Sequence, residues 1–263
     1  LDGYVSLEIN PKLGNELDSQ LKEGKRLWQK LNRPNVMIKV PATKNGLSVV
    51  EGLIAQGINV NVTLIFSAEQ YQHVAWAYLK GLDQFAQKGG DIEKVHSVAS
   101  IFVSRIDTSV DKKLDAKSGL RGKAAVDNCA IVYHKFQNSF GGKEFAALKS
   151  KGANVQRVLW ASTGTKDPQY SDIKYITELI VADTVNTVPD KTLEAVLDHG
   201  VVKPALPGSV AGAQKTMEQL RFKGIDVGMV CNQLLDEGLA AFEKSFDELT
   251  TSIEEKTRRL CAK

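Results

Sequence analysis

The sequence predicts an α/β fold: the larger part of a (βα)8 TIM barrel, followed by C-terminal helices. Three observations lead there. Strand-like and helix-like segments alternate from the first residues to about residue 200, which implies right-handed βαβ units and a parallel sheet. Most strand-like segments are near-continuous apolar runs, as strands covered on both faces must be. The chain has 263 residues, and barrels of roughly 250 residues are ordinary single domains.

The elements follow in order. Tyr4-Val5-Ser6-Leu7-Glu8-Ile9 is a short β-rich run closed by Asn10-Pro11; the chain opens just before it on Leu1-Asp2-Gly3, without a Met or a leading cap. Leu17, Leu21, Leu27, Trp28 and Leu31 recur at helical spacing, so a helix is expected from Asn15 to Leu31. Arg33-Pro34-Asn35 breaks it. Val36-Met37-Ile38-Lys39-Val40 is the second strand, stopped by Pro41. Gly46 to Ala55 is a helix that Gly57 ends. Ile58 to Phe66 is a strand, and Ser67 caps a helix from Ala68 to Lys88 with Glu69 in its first turn. Val95 to Ile106 is the fourth strand, followed by a charged loop through Asp111, Lys112, Lys113 and Asp115. Arg121 to Gln137 is a helix, and a shorter one ends near Lys151-Gly152. Val155 to Trp160 is a strand, Asp172 to Val181 a helix, Thr184 to Val188 a strand stopped by Pro189, and Thr192 to Leu197 a helix ended by Gly200.

These make six βα units, where a closed barrel takes eight. Residues 1–200 are therefore assigned strands three to eight, and the other two units are expected before residue 1. Residues 201–263 form a helical extension. In it Leu235, Leu239, Phe242, Phe246, Leu249 and Ile253, spaced four and three apart, mark one long amphipathic helix. That helix packs either on its own barrel or on a second copy, and the second case gives a homodimer. The run Glu254-Glu255-Lys256 to Arg258-Arg259 reads as a solvated helix face.

Composition narrows the function. Charged residues are 25% of the chain and the net charge is +3, too mild and too evenly spread to argue for nucleic acid. Cys129, Cys231 and Cys261 are odd in number and form no C-x-x-C pair, which fits a reducing cytoplasm. His73, His96, His134 and His199 have no metal-ligand spacing, so no metal is expected. No apolar stretch approaches the ~20 residues of a membrane span, and no signal-peptide pattern is present. Neither glycine-rich phosphate motif occurs, so no nucleotide cofactor is expected.

The polar residues on the strands carry the functional reading. Catalytic groups of such barrels sit at the C-terminal ends of several strands, and alternate residues share a face. Glu8, Lys39, Asn61 and Thr63 are thus expected to project into one cavity. A lysine in a buried strand loses several kcal/mol of hydration unless it is paired or neutral. Neutralising it makes the amine nucleophilic. The alternative is an ion-paired or snorkelling lysine, but Pro41 ends the strand at once and the neighbouring strands carry polar residues. Glu8 is either the partner of Lys39 or a proton-transfer group acting through a water. Asn61 and Thr63 are either plain strand-end residues or the lining of a cavity. Arg105, five residues after Ser100, is a phosphate candidate by its fork of donors; the alternative is a surface salt bridge to Asp107 or Asp111.

Pro34-Asn35-Val36-Met37-Ile38-Lys39-Val40-Pro41-Ala42-Thr43 resembles the Schiff-base lysine strand of transaldolases, and the run from Gly57 to Ser67 resembles the strand after it. Residues 97–107, Tyr4 to Glu8 and Thr184 to Pro189 resemble further strands of that family, and the longer tail resembles its bacterial subgroup. The resemblance implies that Lys39 forms an imine with a ketose C2 carbonyl. It implies that Glu8 and Thr63 hold a proton-relaying water, that Asn61 and Ser100 hydrogen-bond substrate hydroxyls, and that Arg105 binds the sugar phosphate with Ser162 nearby. The reaction would move a dihydroxyacetone unit from sedoheptulose 7-phosphate or fructose 6-phosphate to an aldose phosphate, as in the pentose phosphate pathway. It needs no metal or cofactor, because the imine is the electron sink. A second phosphate-binding arginine often follows the Ala-Ser of the seventh strand in this family. Here Ala161-Ser162 runs on to Thr163-Gly164-Thr165-Lys166, and Lys166 is assigned that job as a less directional clamp. The family's catalytic aspartate and another asparagine belong to the first two barrel strands, which this sequence does not contain. A fructose-6-phosphate aldolase and a sugar-phosphate-binding barrel without the chemistry are the alternative readings.

Overall fold

The β-rich runs pair side by side in chain order. A computed structural model, describing residues 3–14, 16–206 and 209–261, holds six strands: β1 (Val5–Glu8), β2 (Val36–Pro41), β3 (Val60–Ile65), β4 (Ser97–Phe102), β5 (Gln156–Ala161) and β6 (Thr184–Asn186). Every pairing is parallel and the order is β1 to β6. The sheet is open, with β1 and β6 at its edges. All six residues of β3 and of β4 are buried, as both-face coverage requires. The edge strand β1 exposes Val5 and Leu7.

Helices join the strands: α1 (Leu17–Leu31), α2 (Lys44–Ile54), α3 (Ala68–Gln87), α4 (Ser104–Asp111), α5 (Ala124–Gly141), α6 (Lys143–Lys149), α7 (Lys174–Thr177) and α8 (Asp190–His199). The tail forms α9 (Val210–Phe222) and α10 (Val227–Cys261). Asn15, expected to begin the first helix, lies outside the described residues, as do Leu1 and Asp2 ahead of the first strand. Ser67 caps α3 by accepting from the Gln70 N–H, and the Gln70 side chain accepts from the Ser67 N–H. That reciprocal box fixes the helix start. The core joins Ile38, Val40, Val62 and Ile101 of the sheet to Val50, Leu53 and Ile54 of α2 and Tyr71, Val74 and Tyr78 of α3.

Several boundaries differ from the sequence reading. β4 stops at Phe102, so Ser104, Arg105, Ile106 and Asp107 are helical, and Asp111 is helical rather than in a loop. The strand ladder hides this change. The N–H groups of Val103 and Ser104 still bond the carbonyls of Ala161 and Ser162 at 2.9 and 3.1 Å, while Ile106 and Val110, four apart, are already buried as a helix pair. The helix expected from Asp172 to Val181 is a single turn, α7.

The tail lies across the sheet. α9 packs on α5, and α10 packs on α4, β3 and the 3-10 turn Pro11–Leu13. A β-bulge between Val62 and Ile65 adds one residue to β3. Leu64 sits there at φ +58, an uncommon conformation for a side chain other than glycine, and it is fully buried. It meets α10 at Gly238, where a Cβ would lie 2.8 Å from Leu64 Cδ2. A side chain at that position would force Leu64 to shift, so glycine suits the close approach of the helix. Leu235, Leu239 and Phe242 pack on the core, whereas Leu249, Ile253 and Leu260 on the distal half of α10 are exposed. Exposed pairs Glu254–Arg258 and Glu255–Arg259, at 3.8 and 4.0 Å, line that half and contribute little stability. Among the described residues no helix is long and apolar enough to cross a membrane.

Candidate active site

Strand register gathers the polar residues. Glu8 pairs with Lys39, Lys39 with Asn61, and Pro41 with Thr63. Parallel partners point to the same side, so Glu8, Lys39 and Asn61 form one polar row, with Thr63 one pleat further on. Asn61 is the hub of this face. Its Nδ2 donates to Ser6 Oγ at 2.9 Å, and its Oδ1 accepts from Ser100 Oγ at 2.7 Å. Asn61 and Ser100 are both buried.

Lys39 Nζ stands 3.7 Å from Glu8 Oε2. That is ion-pair contact but too long for a hydrogen bond, and about a quarter of the Lys39 side chain remains exposed (25%). Burial raises the Glu8 carboxyl above its ordinary value, and the Lys39 charge partly offsets that. Glu8 Oε1 and Thr63 Oγ1 are buried and have no hydrogen-bond partner among the described residues. The face of Phe242, from α10, lies 5.1 Å from Lys39 Nζ. Phe242 also lines a small cleft of about 140 Å³ with Glu8, Pro41 and Leu239. Its part in the site was invisible in the sequence, where it counts only as one residue of an amphipathic stripe.

A second group assembles at the end of β4 and β5. Ser162, held at φ +56, lies beside Ser104, with Oγ atoms 3.2 Å apart. Arg105, on the first turn of α4, stacks over Phe102 at 5.3 Å. Phe102 is two residues on from Ser100 and so shares its face, which links the two groups. The alternative salt bridge does not form. Asp107 accepts from the Ala125 N–H and the Tyr175 hydroxyl, and Asp111 from the Gly122 N–H and the Tyr170 hydroxyl. Among the described residues no carboxylate pairs with Arg105 or Lys166. Lys166 lies in the loop after β5, and its ammonium is held below its usual range by burial and then by the charges of Arg105 and Lys112. It lines a cleft of about 500 Å³ with Lys112, Arg121 and Tyr170. The clefts lined by Glu8 and by Lys166 share no lining residue; a nucleophile candidate with a neighbouring acid, and two cations without a carboxylate partner among the described residues, suit a polar substrate with an anionic end.

The family model described as Transaldolase/Fructose-6-phosphate aldolase matches residues 1–253. The chain belongs to this family. Curated transaldolases are similar along nearly all of it: the one from Mycolicibacterium smegmatis (strain ATCC 700084 / mc(2)155) is 48% identical over 255 residues, which is 95% of this chain and 69% of that protein. The transaldolase of Mycobacterium ulcerans (strain Agy99) is 47% identical over 256 residues, again 95% of the chain and 69% of the relative. That of Mycobacterium tuberculosis (strain CDC 1551 / Oshkosh) is 45% identical with the same coverage. The transaldolase reading of the strands, and with it a transferase on a parallel α/β barrel scaffold, therefore stands.

Proposed function

We propose that Lys39 is the Schiff-base nucleophile of this transaldolase and that the residues around it divide the remaining work. The observation that carries this is a lysine in an otherwise apolar buried strand, flanked in register by Glu8 and Asn61. The neutral amine attacks the C2 carbonyl of a ketose phosphate, water leaves, and a protonated imine forms. Cleavage of the C3–C4 bond sends its electron pair into that imine and releases an aldose phosphate. The resulting enamine adds to the aldehyde carbon of a second aldose phosphate, and hydrolysis frees Lys39. Glu8, with its carboxyl raised by burial, and Thr63 hold the water that moves these protons. Asn61, supported by Ser100 and Ser6, orients substrate hydroxyls. Arg105, Ser162 and Lys166 receive the phosphate.

Sedoheptulose 7-phosphate and fructose 6-phosphate are the donors this reading assigns, and the pentose phosphate pathway is its setting. A cytoplasmic location is part of the same reading, supported by free Cys129, Cys231 and Cys261. Residues 1–200 act as the barrel and 201–263 as an extension packed on it. A homodimer would cover the exposed stripe Leu249, Ile253 and Leu260. Turnover of fructose 6-phosphate with and without an aldose phosphate acceptor tests the reading. Transferase activity depends on the acceptor, whereas equal turnover without it, with free dihydroxyacetone released, would make the protein an aldolase.

A further inference from the structure

Arg105 and Lys166 are like charges on different segments, and the Lys166 ammonium is held below its usual range by burial and then by the charge of Arg105. Such a pair does not hold its own spacing. It has to be held by the scaffold until an anion arrives.

The scaffold has a specific device for this. Asp107 and Asp111 lie two and six residues on from Arg105, on the other side of α4. Both are buried. Each carboxylate bridges two segments. Asp107 Oδ1 accepts from the Ala125 N–H at 2.8 Å, and its Oδ2 accepts from the Tyr175 hydroxyl at 2.8 Å. Asp111 Oδ1 accepts from the Gly122 N–H at 3.1 Å, and its Oδ2 accepts from the Tyr170 hydroxyl at 2.7 Å. The start of α5 and the segment that follows Lys166 are thereby fastened to the helix that carries Arg105. Arg121 adds a third tie, from its guanidinium to the Asp111 carbonyl at 2.8 Å and to Asp167 at 3.3 Å. Packing points the same way. Gly122 has φ +69, and a Cβ there would come within 2.8 Å of Tyr170 Cζ, so the loop is shaped around that ring.

We infer that Tyr170 and Tyr175, acting through Asp111 and Asp107, are positioning residues that set the spacing of Arg105 and Lys166 and so make the site selective for phosphorylated over unphosphorylated sugars. The inference rests on the phosphate role proposed for Arg105 and Lys166. Neither tyrosine touches the reacting atoms, so the chemistry at Lys39 is left alone.

The test is a selectivity ratio in the full-length protein: kcat/KM for fructose 6-phosphate over kcat/KM for fructose, with Tyr170→Phe, Tyr175→Phe and the double variant. Phenylalanine keeps each ring and removes only the hydroxyl. Loss of a buried hydrogen bond to a charged group is expected to lower the ratio by about tenfold, through KM for the phosphorylated sugar. The inhibition constant of inorganic phosphate is expected to rise in parallel, with the rate of borohydride trapping by dihydroxyacetone unchanged. A purely structural role would move both substrates together. Asp111→Asn, which keeps the side chain's size, serves if a tyrosine variant fails to fold. An unchanged ratio with intact trapping overturns the inference while leaving the imine site standing. An unchanged ratio in Arg105→Ala overturns both the inference and the phosphate reading beneath it.

Discussion

Replacing Asp107 with asparagine should favour the variant progressively, relative to the parent, as pH rises from about 4 to neutral. Asp107 is 1% exposed. Its carboxyl is pushed up from 3.8 to about 6, chiefly by burial, against hydrogen bonds from Ala125 and Tyr175 and with help from the charge of Asp111. A displacement of that size corresponds to roughly 3 kcal/mol between the two protonation states. The sign follows from linkage. The folded state binds this proton more tightly than the unfolded chain, so the stabilisation is fully present below the unfolded value, near pH 4, and is lost as pH rises through about 6. Asparagine is neutral throughout and close in shape. The difference in unfolding free energy, variant minus parent, should grow from its value near pH 4 by up to roughly 3 kcal/mol by pH 7.5. Urea unfolding of both proteins across that range measures it. Glu8 also titrates upward of its usual range, but it is common to both proteins and cancels. A difference that stays flat, or that swings towards the parent as pH rises, would refute the assignment of a buried, displaced carboxyl to Asp107.

Two further predictions concern the polar row. Asn61→Ala leaves the buried Ser100 hydroxyl without its acceptor and Ser6 without its donor, and should cost about 1–3 kcal/mol in urea unfolding; a loss below experimental error would mean that the Ser6–Asn61–Ser100 chain does not form. Phe242→Leu removes the ring face from Lys39 while keeping an apolar contact. Worth about 0.5–1 kcal/mol at a partly exposed site, that contact should appear as a coupling energy of that size in a urea-unfolding double-mutant cycle with Lys39→Met; no coupling would leave Phe242 a packing residue only.

The legible parts of this molecule are those that local patterning dictates. β2 and β3 read correctly because a strand covered on both faces is an apolar run, and a period of two then puts Lys39, Asn61 and Thr63 on one side. What local patterning misjudged was the change of element after Phe102. α4 is only eight residues long, too short for Ile106 and Val110 to establish a helical period, and the apolar run Ile101-Phe102-Val103 leads straight into it. Arg105 was therefore found as a phosphate candidate but placed on the wrong element. The partners of Asp107 and Asp111 depend on the path of the loop carrying Tyr170, which has no period to read. Phe242 over Lys39 depends on Gly238 and the bulge at Leu64, two features that have meaning only once α10 has been laid across β3. α9, whose buried residues are only Ala213, Thr216 and Leu220, has too thin an apolar face to stand out.

The central claim is that Lys39 carries the substrate covalently. Borohydride reduction of the full-length protein with fructose 6-phosphate, followed by peptide mass mapping, addresses it directly, with Lys39→Met as the control. The expected result is a reduced sugar adduct on the peptide containing Lys39, absent from the control. An adduct on another lysine, or none on a protein that turns over the sugar, would contradict the imine assignment and with it the roles given to Glu8, Asn61 and Thr63.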